Sequence, residues 1–217
     1  MKTHADPTWP IAFRSIFFRS IIYTSVIGLI AQGAYWEAQH LPGERFSELG
    51  FVELTQTCIL ITACLILVYT RHVLHIWPNL TLLLLAFVAT SLMREKDAFL
   101  DHYVAQHTWK VLVSLIGIPS VTWVAIQRRH FPAEFARYSN TLSLGLFSAG
   151  VLATYVFSRL CGRQGFWQNV VQENYVRDAK DMAEEVIELL GYSIILIAMV
   201  ELLVLVRRIY RSRQAST

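Results

Sequence analysis

Residues 183–205 read AEEVIELLGYSIILIAMVELLVL, and this apolar stretch sets the class of fold. A helix of about 20 residues is long enough to cross the ~30 Å hydrocarbon core of a bilayer. Charge is concentrated near its N-terminal end, at Glu184, Glu185 and Glu188, with Glu201 toward the other end. The stretch therefore predicts a membrane-spanning helix that carries a polar site close to one membrane surface.

The composition of the whole chain is typical of a membrane protein. Of 217 residues, 54% are hydrophobic and only 16% are charged, and the mean hydropathy is +0.42. That leaves too few polar residues to cover a soluble domain of this size. Most basic residues are placed as topology signals, so no nucleic-acid partner is expected. The spacing of Cys58, Cys64 and Cys161 predicts neither a disulfide framework nor a zinc pair.

The hydropathy pattern predicts an all-α fold with six membrane-spanning helices in one domain, residues 1–217. The spans are expected at about 21–36, 51–69, 80–93, 111–126, 142–157 and 183–205. Residues 1–19 are predicted to form an interfacial segment, and 207–217 a basic cytoplasmic tail. The third span is short for a crossing, so its helix is expected to continue through Arg94 to Asp101.

Basic and acidic residues are divided between the two sides of the predicted membrane. An even number of spans puts both termini on one side, and on that side lie Lys2, Arg14, Arg19, Arg71, Arg128, Arg129, Arg137, Arg207, Arg208, Arg211 and Arg213. The positive-inside rule places both termini in the cytoplasm, most simply across a bacterial inner membrane. The acidic residues other than Asp6, Glu134 and Glu201 fall at the outer side. Glu201 is expected to pair with a nearby arginine such as Arg208.

Polar faces are predicted at the outer ends of the second, third and sixth spans. A spacing of i, i+3 and i+7 places Arg94, Asp97 and Asp101 on one helix face. Two further faces are formed by Glu184, Glu188 and Tyr192, and by Glu53, Gln56 and Thr57. A charge at the centre of a span costs roughly 2.5 to 3.5 kcal/mol on insertion scales, so such faces turn toward one another. The sequence predicts a polar pocket open to the outer leaflet, with Glu95 and Lys96 outside it in a solvated loop.

The residue types in this pocket indicate several chemical roles. The candidate catalytic residues are Glu53, Asp97, Asp101, His102 and Glu188. The candidates for binding the substrate, including an anionic group on it, are Arg94, Lys110, Gln56 and Tyr192. A divalent metal such as zinc would be held by Asp101, His102, His107, Glu184 and Glu188, because carboxylates and imidazoles are suitable ligands. The chain contains no His-x-x-x-His or His-Glu-x-x-His motif to reinforce this metal site.

Three functions are compatible with such a pocket. The first is a membrane-embedded, metal-dependent enzyme, a hydrolase or transferase acting on a membrane lipid. The second is a small transporter or channel in which the carboxylates bind a cation or relay protons. The third is a non-catalytic subunit of a homo-oligomer or membrane-protein complex, whose ion pairs fix helix packing. Transport requires polar groups that continue toward the cytoplasmic face, whereas the inner halves of spans two to five carry no charge.

Overall fold

The computed structural model describes residues 13–40, 50–97, 99–100 and 105–215, and its regular elements in these ranges are all helical. The main helices are α1 (Phe13–His40), α2 (Phe51–Leu74), α3 (Pro78–Glu95), α4 (Thr108–Ile126), α5 (Phe131–Ser139), α6 (Leu142–Cys161), α7 (Gln164–Val171) and α8 (Arg177–Gln214). The predicted all-α fold is therefore confirmed for the described residues.

Within the described part of the chain, the helices α1, α2, α4, α6 and α8 are long and apolar enough to cross a membrane. The protein is accordingly an integral membrane protein with several apolar spans. Helix α3 is not among these five, because its 18 residues include Asn79 at one end and Arg94 and Glu95 at the other, and these polar residues lower its mean hydropathy. A sixth crossing at α3 and the side on which the termini lie stay predictions.

The ends of the helices differ from the predicted spans in three places. Helix α1 begins at Phe13, so the described part of the predicted interfacial segment continues directly into the first span. Helix α8 continues to Gln214 and includes most of the predicted basic tail. Helix α3 ends at Glu95, because Lys96 leaves helical geometry with φ −110° and ψ 25°. The expected unbroken helix from Arg94 to Asp101 is therefore wrong, and Asp101 itself lies outside the described residues.

Helix α8 is the centre of the bundle. In the 18-residue apolar window of α8, 61% is buried inside the protein. The buried share of the corresponding window is 6% in α4 and 0% in α1. The buried residues of α8 lie against α2 and α6, while α3 packs between α2 and α4. Because α1 and α4 leave large apolar side chains exposed, these two helices provide the surface best suited to contact with lipid.

Helices α6 and α8 approach closely at a glycine crossing. A Cβ atom on Gly191 would overlap the hydroxyl of Thr154, and one on Gly150 would lie 2.6 Å from Cγ1 of Ile195 and 2.8 Å from the Gly191 oxygen. Small residues allow such close contact between membrane helices. At the same level, α6 contains a wider π-type turn at 153–157. This crossing places the end of α6 directly beside the carboxylates of α8.

Two acidic residues cap helices from a distance. The carboxylate of Glu37, buried at the end of α1, accepts the backbone N–H of Val52 at 2.9 Å. The carboxylate of Glu134 on α5 accepts the backbone N–H groups of Asn79 and Leu80 at 2.9 and 2.8 Å. Both contacts satisfy backbone donors in a first helical turn and place negative charge at the positive end of the helix dipole. This explains why Glu134 lies apart from the other acidic residues.

Glu201 lies at the opposite end of α8 from Glu188. Its carboxylate is 3.3 Å from Nη1 of Arg19 and accepts the hydroxyl of Tyr23 at 2.6 Å. The expected pairing with Arg208 is wrong, because α1 brings its own arginine to this buried position. These contacts hold α1, which has few buried residues, against the central helix.

Candidate functional site

A polar cluster lies at one end of the helix bundle, where the starts of α2 and α8 meet the ends of α3 and α6. We define the polar cluster as Glu53, Gln56, Arg94, Glu95, Lys96, Ser158, Arg159, Glu184, Glu185, Glu188 and Tyr192. Four different helices supply these side chains, and most of them are buried or half-buried. The cluster consists of a half centred on Glu188 and a half centred on Glu185.

Arg94 is the main link between α3 and α8. Its Nη2 atom lies 2.6 Å from Oε1 of Glu95 and 3.1 Å from Oε2 of Glu188, and it donates to the hydroxyl of Tyr192 at 2.9 Å. The Tyr192 hydroxyl in turn donates to Oε1 of Glu95 at 2.6 Å. The guanidinium also lies 4.9 Å from the ring centre of Tyr155. Charge-assisted hydrogen bonds of this kind hold both helices in one register.

Glu188 connects α8 to α6 as well as to α3. Its Oε1 atom accepts hydrogen bonds from the hydroxyl of Ser158 and from Nη2 of Arg159, each at 3.1 Å. The side chain of Glu188 is only 5% exposed, so its charge depends on these partners. The half of the cluster around Glu188 is therefore a complete ion-pair network in which the carboxylate has a cation on each side.

The other half of the cluster is less complete. Lys96 Nζ lies 3.5 Å from Oε2 of Glu53. Gln56, 1% exposed, donates from Nε2 to the backbone oxygen of Glu185 at 3.2 Å and to its Oε2 at 3.1 Å. Its carbonyl oxygen Oε1 is buried and accepts no hydrogen bond in the described part of the chain. Buried polar atoms of this kind are uncommon in folded proteins.

The charges of the cluster do not balance. Each of Glu53, Glu95, Glu184 and Glu188 lies within ion-pair distance of a lysine or arginine. Glu185 has no such partner among residues 13–40, 50–97, 99–100 and 105–215. It also lies within electrostatic range of the carboxylates of Glu53, Glu95 and Glu188. Lys180 Nζ also lies 3.8 Å from Oε2 of Glu184, so four cations face five carboxylates, and Glu185 is the carboxylate that has no cation partner in the described ranges.

Six of the residues predicted for the site are brought together in the polar cluster: Glu53, Gln56, Arg94, Glu184, Glu188 and Tyr192. Asp97 is exposed and makes no ion pair or hydrogen bond with another described residue. His107 adopts a left-handed conformation just before α4, and Lys110 lies over the Trp109 ring with its Nζ 5.6 Å from the ring centre. Asp101 and His102 lie outside the described residues. The chemical roles assigned to these residues stay predictions.

The sequence interpretation missed five members of the cluster: Glu95, Lys96, Ser158, Arg159 and Glu185. Glu95 and Lys96 were expected in a solvated loop, but both are half-buried and make ion pairs. A sequence signal was available for Arg159, which lies two residues after the predicted fifth span, on the same side as Glu184 and Glu188.

The predicted metal centre receives no support from the described residues. No group of three or more His, Cys, Asp or Glu side chains in these ranges could hold a metal ion. Two of the predicted ligands, Glu184 and Glu188, instead contact Arg159. Ligand oxygens that are engaged with arginine are poorly available to a divalent cation, so the arrangement favours ion pairing over zinc coordination.

A groove of about 250 Å³ lies between α2 and α8 and is lined by Leu54, Thr55, Cys58, Ile59, Thr62 and Leu196. It is largely apolar and open at the surface. Cys58 and Thr62 follow Glu53 by five and nine residues, which is roughly 140° and 180° around the helix. The groove is therefore on the far side of α2 from Glu53 and does not lead into the polar cluster.

Comparison with protein-family models, with curated proteins and with solved structures gave no match. The fold and the cluster define the class as an integral, multi-pass, all-helical membrane protein. Any narrower function has to be inferred from the chemistry of the polar cluster itself.

Proposed function

We propose that this protein is a cation-binding membrane protein of the transporter or exchanger class, and that a proton or a metal cation is bound at Glu185. The observation that carries the proposal is the missing cation partner of Glu185 in a cluster where the neighbouring carboxylates have one. The two halves of the cluster then have different roles. The half around Glu188 holds α3, α6 and α8 together, and the half around Glu185 binds the transported ion.

The energetics of burial support this assignment. A carboxylate that is removed from water without a compensating charge is strongly unfavourable, and nearby like charges raise the cost. Glu185 lies near Glu53, Glu95 and Glu188, which all add negative potential. Binding of a proton or a cation neutralises Glu185, so occupancy of the site is coupled to the stability of the bundle.

A second polar site on α8 supports transport over simple binding. Glu201 lies thirteen residues after Glu188, which is about 20 Å along a helix, and it is buried against Arg19 and Tyr23. Between them, the hydroxyl of Ser193 is buried within α8, and that of Ser143 donates to the Ala198 oxygen at 2.8 Å. Buried polar groups thus recur along the central helix, although spans two to five carry no charge in their inner halves.

We further propose that α3 is a sixth crossing and that both termini lie in the cytoplasm. Helix α3 packs between α2 and α4, which are both candidate spans. The basic residues at the ends of α1 and α8 favour a cytoplasmic position for these ends. The polar cluster then faces the outer side, and ions from that side reach Glu185 first.

A membrane-embedded enzyme, the function first expected from the sequence, has less support. The described residues contain no candidate metal group, and the one apolar groove described above does not reach the cluster. The hydrolase and transferase activities therefore stay untested predictions, and ion binding is the better explanation of an unpaired glutamate.

Reconstitution into liposomes tests the proposed function. An imposed ion gradient should drive proton or cation movement through wild-type protein, recorded with a pH-sensitive dye and with a radioactive tracer. Glu185→Gln should abolish this movement, whereas Glu173→Gln, at an exposed glutamate in the turn before α8, should leave it unchanged. Equal movement in wild-type and Glu185→Gln liposomes, or none in either, would overturn the proposal.

A further inference from the structure

The end of the bundle opposite to the polar cluster is strongly basic. The start of α1 is held there by Arg19 against Glu201, and α5 is held there by Glu134, which caps the first turn of α3. The end of α8 lies beside the end of α2, where the guanidinium carbon of Arg207 is 5.2 Å from the ring centre of Tyr69. Arginines from α2, α4 and α8 therefore gather at this end, among them Arg71, Arg128, Arg129, Arg208 and Arg211.

The acidic side chains described at this end do not balance the positive charge. Glu201 is paired with Arg19, and the Glu134 carboxylate is occupied by backbone and side-chain donors at the start of α3. Arg208 and Arg211 are exposed and make no ion pair with a carboxylate in the described part of the chain. The excess positive charge attracts an anionic partner.

Three of these arginines share one side of α8 at its end. We define the arginine face as Arg207, Arg208 and Arg211, whose i, i+1 and i+4 spacing places them within about 100° around the helix. All three are exposed, and they lie on the opposite side of α8 from Leu202 and Val206, which are buried in the core. Because a guanidinium stacks on a ring through its flat face, the N–H edge of Arg207 stays available to a ligand.

The surface of α2 beside the arginine face is apolar and exposed. Leu65 is 64% exposed and Val68 is 40% exposed, and the next residue, Tyr69, contacts Arg207. Helix α2 is a candidate span, so this surface is suited to contact with acyl chains. A cationic patch that borders an apolar surface at the end of a span matches a phospholipid, with its phosphate at the cations and its chains on the apolar side. A soluble acidic protein or a nucleic acid would leave the apolar part unused.

We infer that the arginine face binds the phosphate of an anionic phospholipid whose acyl chains lie along Leu65 and Val68. A guanidinium donates two parallel hydrogen bonds to a phosphate, which suits arginine to this headgroup. A zwitterionic lipid carries an ammonium group that the arginines repel, so an anionic headgroup is preferred. The inference is independent of the proposed function, because no residue of the polar cluster takes part in it.

Native mass spectrometry of the full-length protein tests the inference, because it counts the lipids that stay bound when detergent is removed. The probes are dioleoyl-phosphatidylglycerol, which is anionic, and dioleoyl-phosphatidylcholine, which has the same chains and a zwitterionic headgroup. Wild-type protein should bind the anionic lipid more tightly by roughly tenfold or more, and higher ionic strength should reduce the difference.

A double variant locates the lipid on the protein. Arg208→Gln combined with Arg211→Gln should weaken binding of the anionic lipid by roughly tenfold or more, because each basic residue near an anionic lipid contributes about fivefold in affinity. Arg207 is left in place because it packs on Tyr69. Arg163→Gln combined with Arg177→Gln is the matched control, since it removes the same charge from exposed arginines at the other end of the bundle and should bind as wild type does.

Each outcome supports or overturns the inference. Loss of the anionic lipid in the Arg208 and Arg211 variant alone supports it. Equal affinity of wild-type protein for the two lipids would overturn it, and so would an equal loss in both double variants. Displacement of the lipid by millimolar inorganic phosphate or by a polyglutamate peptide would assign the face to a free anion or to an acidic protein segment instead. The wild-type comparison of the two lipids is decisive even if a double variant does not fold.

Discussion

Arg94 on α3 and Glu188 on α8 are joined through Nη2 and Oε2 at 3.1 Å, although 94 positions separate them in the chain. The contact fixes the relative register of two helices whose apolar surfaces could pack in several ways. Because Glu188 also bonds to Ser158 and Arg159, the same carboxylate holds α6 in place. The most polar part of the protein thus determines how its most apolar helices are arranged.

The first prediction concerns Arg94. Replacing it by methionine leaves Glu95 and Glu188 without their shared cation. Removing one partner of a buried ion pair lowers the free energy of unfolding by about 3 kcal/mol or more. We expect Arg94→Met to lower the free energy of unfolding in detergent by that amount, measured by denaturant titration. Arg163→Met, at an exposed arginine beyond the end of α6, is the control and should change it little. Equal stability of the two variants would show that the ion pair does not stabilise the bundle.

The second prediction concerns the glycine crossing. In Gly191→Ala the new methyl group meets Thr154 and the backbone of Gly150, so α6 and α8 have to move apart. Overpacking of this kind costs about 1 to 3 kcal/mol, and it should also weaken the contacts of Glu188. Gly145→Ala in the same helix α6 is the control, because nothing lies within 4 Å of its added Cβ. A Gly191→Ala protein as stable as wild type would contradict the close crossing.

The third prediction concerns the attachment of α1. Arg19 and Glu201 are 3.3 Å apart, and the side chain of Glu201 is only 7% exposed. A double-mutant cycle with Arg19→Met and Glu201→Gln should give a coupling energy of about 1 kcal/mol or more. Hydrogen exchange of α1 should increase in either single variant, because α1 has few other buried contacts. A coupling energy near zero would mean that α1 is held by other contacts.

The fourth prediction concerns the number of crossings. If α3 spans the membrane, the chain crosses six times and both termini lie on the cytoplasmic side. Fluorescent-protein fusions at residue 128 and at the C-terminus should then be bright, and an alkaline phosphatase fusion at residue 173 should be active. An active phosphatase fusion at the C-terminus would indicate an odd number of crossings and would remove the assignment of the polar cluster to the outer side.

Much of the fold follows from the sequence, because apolar runs long enough to span a membrane have few structural alternatives in lipid. The polar site was harder to predict. The approach of Glu53, Gln56, Arg94 and Glu188 could be expected, since charges at the same membrane depth turn toward one another. The burial of Glu95 could not be expected, because it depends on α3 ending at Glu95 itself and on the position of Tyr192 in another helix.

Local spacing also says little about contacts between distant segments. Arg159 reaches Glu188 only because α6 and α8 cross at Gly150 and Gly191, and no pattern within either segment specifies that crossing. In the same way, Glu201 was assigned to a nearby arginine on its own helix, whereas its partner is Arg19 at the other end of the chain. Tertiary packing therefore selected partners that helical periodicity alone could not distinguish.

The most direct test is an infrared difference spectrum of the protein in nanodiscs, recorded between Na⁺ and choline buffers at one pH. If Glu185 binds the cation, wild-type protein should show a shift in the carboxylate stretching bands, Glu185→Gln should lose it, and Glu173→Gln should retain it. A difference spectrum that is flat in wild type across both cation and pH exchange, or that is unchanged in Glu185→Gln, would contradict a cation site at Glu185.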